Sequence, residues 1–181
     1  MVDVAWKKRL DDIRLDSLAE MFGVEKPIIG MVHLWPLPGA PGYTGYGVGT
    51  ILEHAWRDAE ALLEGGVDGL IVENMWDLPY YAGSDVPLEA VTAQTVAAQK
   101  IIEMADVPVG INVVHNGGLV ELAIAMAAGA AFIRVCILTG ARLWDTGDLD
   151  QGCAADLLRR RKDLQVEQIK LFADVDKKHS L

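Results

Sequence analysis

Val67-Asp-Gly-Leu-Ile-Val-Glu-Asn74 is the stretch on which the fold turns. It is an apolar run that ends in two polar residues able to do chemistry. Three more runs have this form: Pro27-Ile-Ile-Gly-Met-Val-His33, Val107-Pro-Val-Gly-Ile-Asn-Val-Val-His-Asn116 and Ala130-Ala-Phe-Ile-Arg-Val-Cys-Ile-Leu138. A fifth, Ile169-Lys-Leu-Phe-Ala-Asp-Val-Asp176, stands near the end of the chain. Strands buried on both faces of a parallel sheet need near-continuous apolar runs, and α/β proteins place their sites at the carboxyl ends of such strands. Strand starts recur near residues 28, 68, 108, 131 and 168, with helical stretches between them. The expected class is therefore α/β, about five βα units with parallel strands, in a sheet that is open or closed.

The chain has 181 residues, enough for a sizeable core, and 51% of them are hydrophobic, which excludes a disordered chain. Its formal net charge of −10 argues against a nucleic-acid partner, because neutralising phosphates needs a surplus of Lys and Arg. Met1 to Arg14 lacks the apolar centre of a signal peptide, and no apolar run approaches the roughly 20 residues that span a bilayer. The expected location is the cytoplasm. Cys136 lies in an apolar run and reads as a small buried hydrophobe, and neither it nor Cys153 has metal-type spacing.

Residues 1–25 read as a lead-in and a short helix, Leu15 to Phe22, stopped by Gly23. The Pro- and Gly-rich stretch from Leu34 to Gly49 forbids regular structure, and its Trp35, Tyr43 and Tyr46 predict an ordered, lid-like loop. Thr50-Ile-Leu-Glu53 fits a capping box, followed by a helical face of Ile51, Leu52, Ala55, Trp56, Ala59, Leu62 and Leu63. Gly65-Gly66 supplies the stop. A second long loop runs from Met75 to Val86. Pro87 then opens a helix whose inward face is Val91, Gln94, Ala98, Ile101, Ile102 and Ala105. Leu119 to Ala128 is a small-residue helix, Thr139 to Gln151 a loop, and Ala154 to Leu164 a further helix with a basic last turn. Asp145, Asp148 and Asp150 do not have the spacing of a calcium loop and read as turn and cap residues.

Several blocks together resemble the BtpA/SgcQ family. They are Lys26-Pro-Ile-Ile-Gly-Met-Val-His-Leu34 with Pro36-Leu-Pro-Gly-Ala-Pro-Gly-Tyr43, then Val67 to Asn74, Val107 to Val113, Phe132-Ile-Arg-Val135, Leu138-Thr-Gly-Ala141 and Leu157-Leu-Arg159. The last is Ile169 to Asp176 with Lys178-His-Ser180. They occur in order over residues 26–180. The resemblance implies a ribulose-phosphate-binding type of TIM (β/α)8 barrel. An eight-stranded barrel takes roughly 250 residues, so residues 26–181 read as a partial barrel cut after its fifth strand, and the phosphate site of later strands lies beyond it. Two departures stand out: Val114-His-Asn-Gly-Gly118, where the family carries an arginine before the asparagine, and Lys177 in place of an apolar residue. For one cyanobacterial branch the resemblance implies photosystem I biogenesis and stability, with peripheral attachment to the thylakoid membrane. Other branches, some beside sugar-metabolism genes, have no established reaction.

The residues themselves suggest a ligand-handling site. His33, at the end of the first strand, could be a general base or a metal ligand; the alternative is a histidine that shapes the loop. Glu73 among apolar neighbours suits a general acid or base, and an ion pair with Arg134 is its structural alternative. A buried Arg134 needs an anion, for which Glu73, Asp174 and a substrate all qualify. Asn112 reads as either part of a polar network or a substrate contact, with Asn116 a weaker candidate beside it. Asp174 and Asp176, two apart on one strand, would share a face, and Mg²⁺ or another divalent cation could bind there. By the resemblance, Asp174 joins His33 and Glu73 as catalytic residues, and His179 joins the substrate contacts. The expected partner is a small polar metabolite, sugar-like or nucleoside-like and in some cases phosphorylated. Five strands leave two open edges, which predicts self-association.

Overall fold

The computed structural model describes residues 17–83, 85–144 and 147–176. Helix α1 (Ser17–Phe22) is closed by Gly23, whose φ is +75° and whose N–H donates to the Ala19 carbonyl. Strands and helices then alternate: β1 (Ile29–His33), α2 (Val48–Glu64), β2 (Gly69–Glu73), α3 (Leu88–Met104), β3 (Val109–Asn112), α4 (Gly118–Ala128) and β4 (Phe132–Val135). A hairpin, β5 (Ala141–Leu143) and β6 (Leu149–Gln151), precedes α5 (Ala154–Asp163) and β7 (Lys170–Ala173).

The main sheet has the order β1-β2-β3-β4-β7, and every pairing in it is parallel. Strands follow one another as they do along the chain, without the reversal that marks a doubly wound sheet. This is the arrangement of a partial (β/α) barrel, as expected.

Period-two alternation assigns the two faces of the sheet. Val32, Leu70, Val72, Val109, Ile111, Ile133 and Val135 enter one core with Ile51, Ala55 and Ala59 of α2 and the alanines of α3 and α4. Small helix residues let the helices lie close to the strands. The intervening positions face the other way. There Phe22 of α1 meets Phe132 and Phe172 at ring-centroid distances of 5.7 and 6.2 Å, and Phe132 meets Phe172 at 4.8 Å. Because Phe132 opens β4, this aromatic cluster closes the amino end of the sheet's inner face and leaves the carboxyl end for a site. Gly110 is required beside it: a Cβ there would lie 2.2 Å from the Phe132 ring.

Three expectations need correction. The capping box does not form. Helix α2 begins at Val48, behind Gly47 at φ +83°, so Thr50 lies inside the first turn and its hydroxyl donates to the Tyr46 carbonyl. Trp56 is 39% exposed, off the buried face of α2, and stands outside the core. The stretch expected as a loop after β4 contains the β5–β6 hairpin, with Leu143 opposite Leu149 and a turn through Gly147 at φ +91°. Its three-residue strands are mostly exposed, so no apolar run announced them.

Replacing Gly110 by Ala forces the Phe132 ring aside, and the expected cost is about 1–3 kcal/mol of overpacking. Urea unfolding of the variant measures it. An unchanged midpoint would mean that the ring is not fixed there.

Candidate functional site

The polar ends of the strands meet at one rim. In register, His33 of β1 lies beside Glu73 of β2, and Glu73 beside Asn112 of β3. Arg134 sits one residue before the end of β4, and Asp174 directly follows β7. His33 Nε2 is 3.1 Å from Glu73 Oε2, and Glu73 Oε1 is 3.6 Å from Arg134 Nη1. Arg134 also binds Asp174 with two parallel bonds, Nε to Oδ1 at 3.0 Å and Nη2 to Oδ2 at 3.1 Å. His33, Glu73, Arg134 and Asp174 thus form one connected chain of polar side chains at the carboxyl end of the sheet.

The ends of that chain differ in solvent access. The Glu73 side chain is 6% exposed and that of His33 38%. Burial works against the Arg134 charge, but the hydrogen bond and charge of Asp174, with Cys136 and Glu73 beyond, outweigh it and raise the guanidinium pKa further. Arg134 stays cationic at every relevant pH. Two acidic side chains of the protein already face this one guanidinium, the structural alternative to the substrate anion expected for Arg134.

Other candidates have structural partners. Asn112 is fully buried, and its Nδ2 donates to Glu121 Oε1 at 3.0 Å and to the Arg134 carbonyl at 2.7 Å. Asn116 adopts φ +60°, donates to the Gln151 carbonyl and accepts from the Ile137 amide. It ties the hairpin to the end of β3. Its signal was visible only as an asparagine next to glycines, where a left-handed turn is favoured. Asp174 and Asp176 pair with different arginines. The strand ends at Ala173, and Asp176 pairs with Arg142 at 3.3 Å while Asp174 holds Arg134. No group of three or more His, Cys, Asp or Glu side chains suited to a metal gathers among the described residues. His179, Lys178, Lys177 and Asp145 lie outside the described residues.

The sequence reading missed the part that three acids play at the rim, Asp77 and Glu121, which are buried, and Asp150, which is half-buried. Asp77 accepts from the Leu37 amide at 2.7 Å and from Asn74 Nδ2 at 3.1 Å, locking the loop after β1 to the loop after β2. Burial raises its pKa, while the bonds from Leu37 and Asn74 pull it back. A raised folded-state value means that its contribution to stability declines as pH climbs from the ordinary 3.8 through that raised value. Glu121 of α4 accepts from Asn112 and from the Val113 amide at 2.9 Å. Asp150 of β6 accepts from Trp144 Nε1 at 2.8 Å and lies 3.0 Å from His115 Nδ1, whose ring packs on Trp144. Asp150 holds two rings, where a turn or cap role was expected. In a sequence these acids look like solvated loop and helix residues. Only an acid four residues past a strand end, as at Asp77, hinted at more.

Both cysteines are free thiols. Burial, followed by the charge of Glu121, pushes Cys153 up to about 11.

Two consequences are measurable. Asp77→Ala leaves the Leu37 amide without its acceptor and should cost about 1–3 kcal/mol, with faster hydrogen exchange at Leu37; unchanged protection there would refute the clamp. Cys153 should react with iodoacetamide at pH 8 about a hundredfold more slowly than a thiol at the ordinary 9.0, because only the thiolate attacks. Ordinary reactivity of Cys153 by mass spectrometry would contradict its environment.

Comparison with known proteins adds the lineage. The family model described as BtpA family matches residues 24–181. An uncharacterised protein of Pyrococcus furiosus is 41% identical over 157 residues, covering 87% of this chain and 58% of that protein. The photosystem I biogenesis protein BtpA of Synechocystis is 41% identical over 164 residues, covering 91% and 56%. An uncharacterised mitochondrial protein of Caenorhabditis elegans is 34% identical over 169 residues, covering 90% and 60%. The chain thus spans under two thirds of the length of these relatives. No solved structure matches it. The order of the strands, the His33 to Asp174 rim within the matched residues and the extent of the match agree: this chain belongs to the BtpA family.

Proposed function

We propose that this chain carries the acid–base part of a barrel enzyme site acting on a small polar metabolite, sugar-like or nucleoside-like. The observation behind the reading is the His33–Glu73 pair: a solvent-reachable imidazole held at 3.1 Å by a buried carboxylate. A carboxylate on one ring nitrogen fixes the ring's orientation and supports the imidazolium that forms when the other nitrogen takes a proton. With Nε2 turned to Glu73, Nδ1 is the atom that accepts a proton from a ligand hydroxyl and returns it. Arg134 faces the other oxygen of Glu73 at 3.6 Å, and Asp174 holds Arg134. Two carboxyl groups around one guanidinium favour hydroxyl donors over an anion at this position.

A second reading, a role in photosystem I biogenesis, is supported by the name of the Synechocystis relative. Equal identity to the archaeal relative weighs against treating that name as decisive. No helix among the described residues is long and apolar enough to cross a membrane.

The test is a thermal-shift screen of the full-length protein against neutral sugars and nucleosides. A ligand present at a hundred times its Kd adds about 2.7 kcal/mol of stability. The expected result is a stabilising compound whose effect disappears in Glu73→Gln and His33→Gln, with both variants still folded. Equal stabilisation of parent and variants by every active compound would sink the acid–base site. The biogenesis reading predicts instead that Glu73→Gln restores photosystem I to a Synechocystis strain lacking its own relative as fully as the parent does.

A further inference from the structure

A cavity of about 310 Å³ opens beside this rim, lined by Cys136 and Thr139 after β4, Arg142 of β5, and Asp174 and Val175 after β7. Asp174 belongs both to this cavity and to the chain of groups that ends at His33. The cavity therefore continues the site. It also contains a second guanidinium in a different state from the first. Arg134 is 33% exposed and held by two carboxylates that are 6% and 15% exposed. Arg142 pairs at 3.3 Å with Asp176, which is 83% exposed, and donates to the Val175 carbonyl at 3.1 Å.

We propose that this cavity receives the anionic end, a carboxylate or a phosphate, of the metabolite whose hydroxyl-bearing end meets His33 and Glu73, and that Arg142 binds that anion. The assignment rests on the acid–base reading for the position of the rest of the ligand. Its physical basis is the contrast between the two arginines. A pair with a solvated carboxylate contributes little, so exchanging Asp176 for a ligand oxyanion costs little. Pulling Arg134 from Asp174 and Glu73 would strand buried carboxylates. The planar guanidinium fork offers two parallel N–H donors to a carboxylate or phosphate. The Leu138 and Thr139 amides, in the wall of the same cavity, donate to no group among the described residues. The basic last turn of α5 does not compete for this role: Arg159 pairs with Asp156 on its own helix, and Arg161 donates to the Ile169 and Glu167 carbonyls.

Calorimetry on the full-length protein with glucose, gluconate, glucose 6-phosphate and inorganic phosphate tests the assignment and separates carboxylate from phosphate. At least one anion should bind about tenfold or more tightly than glucose, as a charge-assisted bidentate contact requires. Arg142→Gln should remove that preference and leave the affinity for glucose unchanged; Arg142→Lys should keep part of it. Asp176→Asn, which releases Arg142, should tighten anion binding several-fold. No heat with any anion at millimolar concentration overturns the proposal, as does an anion preference that survives Arg142→Gln. If that preference survives while Glu73→Gln abolishes binding of neutral and charged ligands alike, the Arg142 assignment falls and the acid–base reading stands. If Arg142→Gln removes it and Glu73→Gln changes nothing, the acid–base reading falls alone.

Discussion

A guanidinium that cannot release its proton, placed among strands of a sheet, dictates what must surround it. Arg134 meets that demand with two anions from different strands, Asp174 after β7 and Glu73 on β2. Glu73 in turn holds His33 of β1. One charge therefore correlates the ends of four elements spread across the sheet. Pairs of this kind add little net stability, because desolvation consumes much of the Coulomb gain. Their consequence is geometric: each partner has one favourable position, and the positions converge on a rim.

The helices make that rim rigid by satisfying backbone groups where the strands end. Gln94 of α3 donates to the carbonyls of Val72 and Asn112, bridging β2 and β3 at the residue before Glu73. Glu121 of α4 does the complementary task, accepting from the Val113 amide just past β3. The loops follow the same logic. Asp77 joins the loops after β1 and β2, Tyr46 donates to the Pro36 carbonyl, and Tyr81 donates to the Gly39 carbonyl. The stretch expected as a lid is thus tied to the loop after β2 at Leu37 and Gly39 and braced internally by Tyr46 on Pro36. Preorganised groups of this sort can act on charge without reorganising.

Several of these contacts join residues 40 apart in sequence: Ile28 with Asp68, Leu37 with Asp77, Asn74 with Val114, and Arg134 with Asp174. Three of the four steps between paired strands are about that long, so equivalent positions of those neighbouring units meet; the step from β3 to β4, Gly110 to Phe132, is shorter. The hairpin after β4 lies within one of the long steps and carries Arg142 and Asp150 to the rim. An insertion at the carboxyl end of a barrel strand changes the site and leaves the sheet intact.

Strand identity, strand direction and the end of the sheet that carries polar groups were legible because apolar runs of fixed length, spaced by amphipathic helices, admit few arrangements. The gathering of His33, Glu73, Arg134 and Asp174 followed from that reading, since each closes or nearly closes a run. Glu73 and Asp174 were legible as possible partners of Arg134, but the His33–Glu73 pair and the choice between protein and substrate anions were not. A buried acid such as Asp77 or Glu121 and a solvated one are the same letter, and a three-residue exposed strand leaves no period. Amino-acid order was enough to set the sheet and its polar rim, because burial of apolar area depends on composition and period. That Arg134 faces two acids of the protein, and that Asn112 and Asn116 bond to neighbouring backbone, was settled by distances between chain segments that period alone does not set.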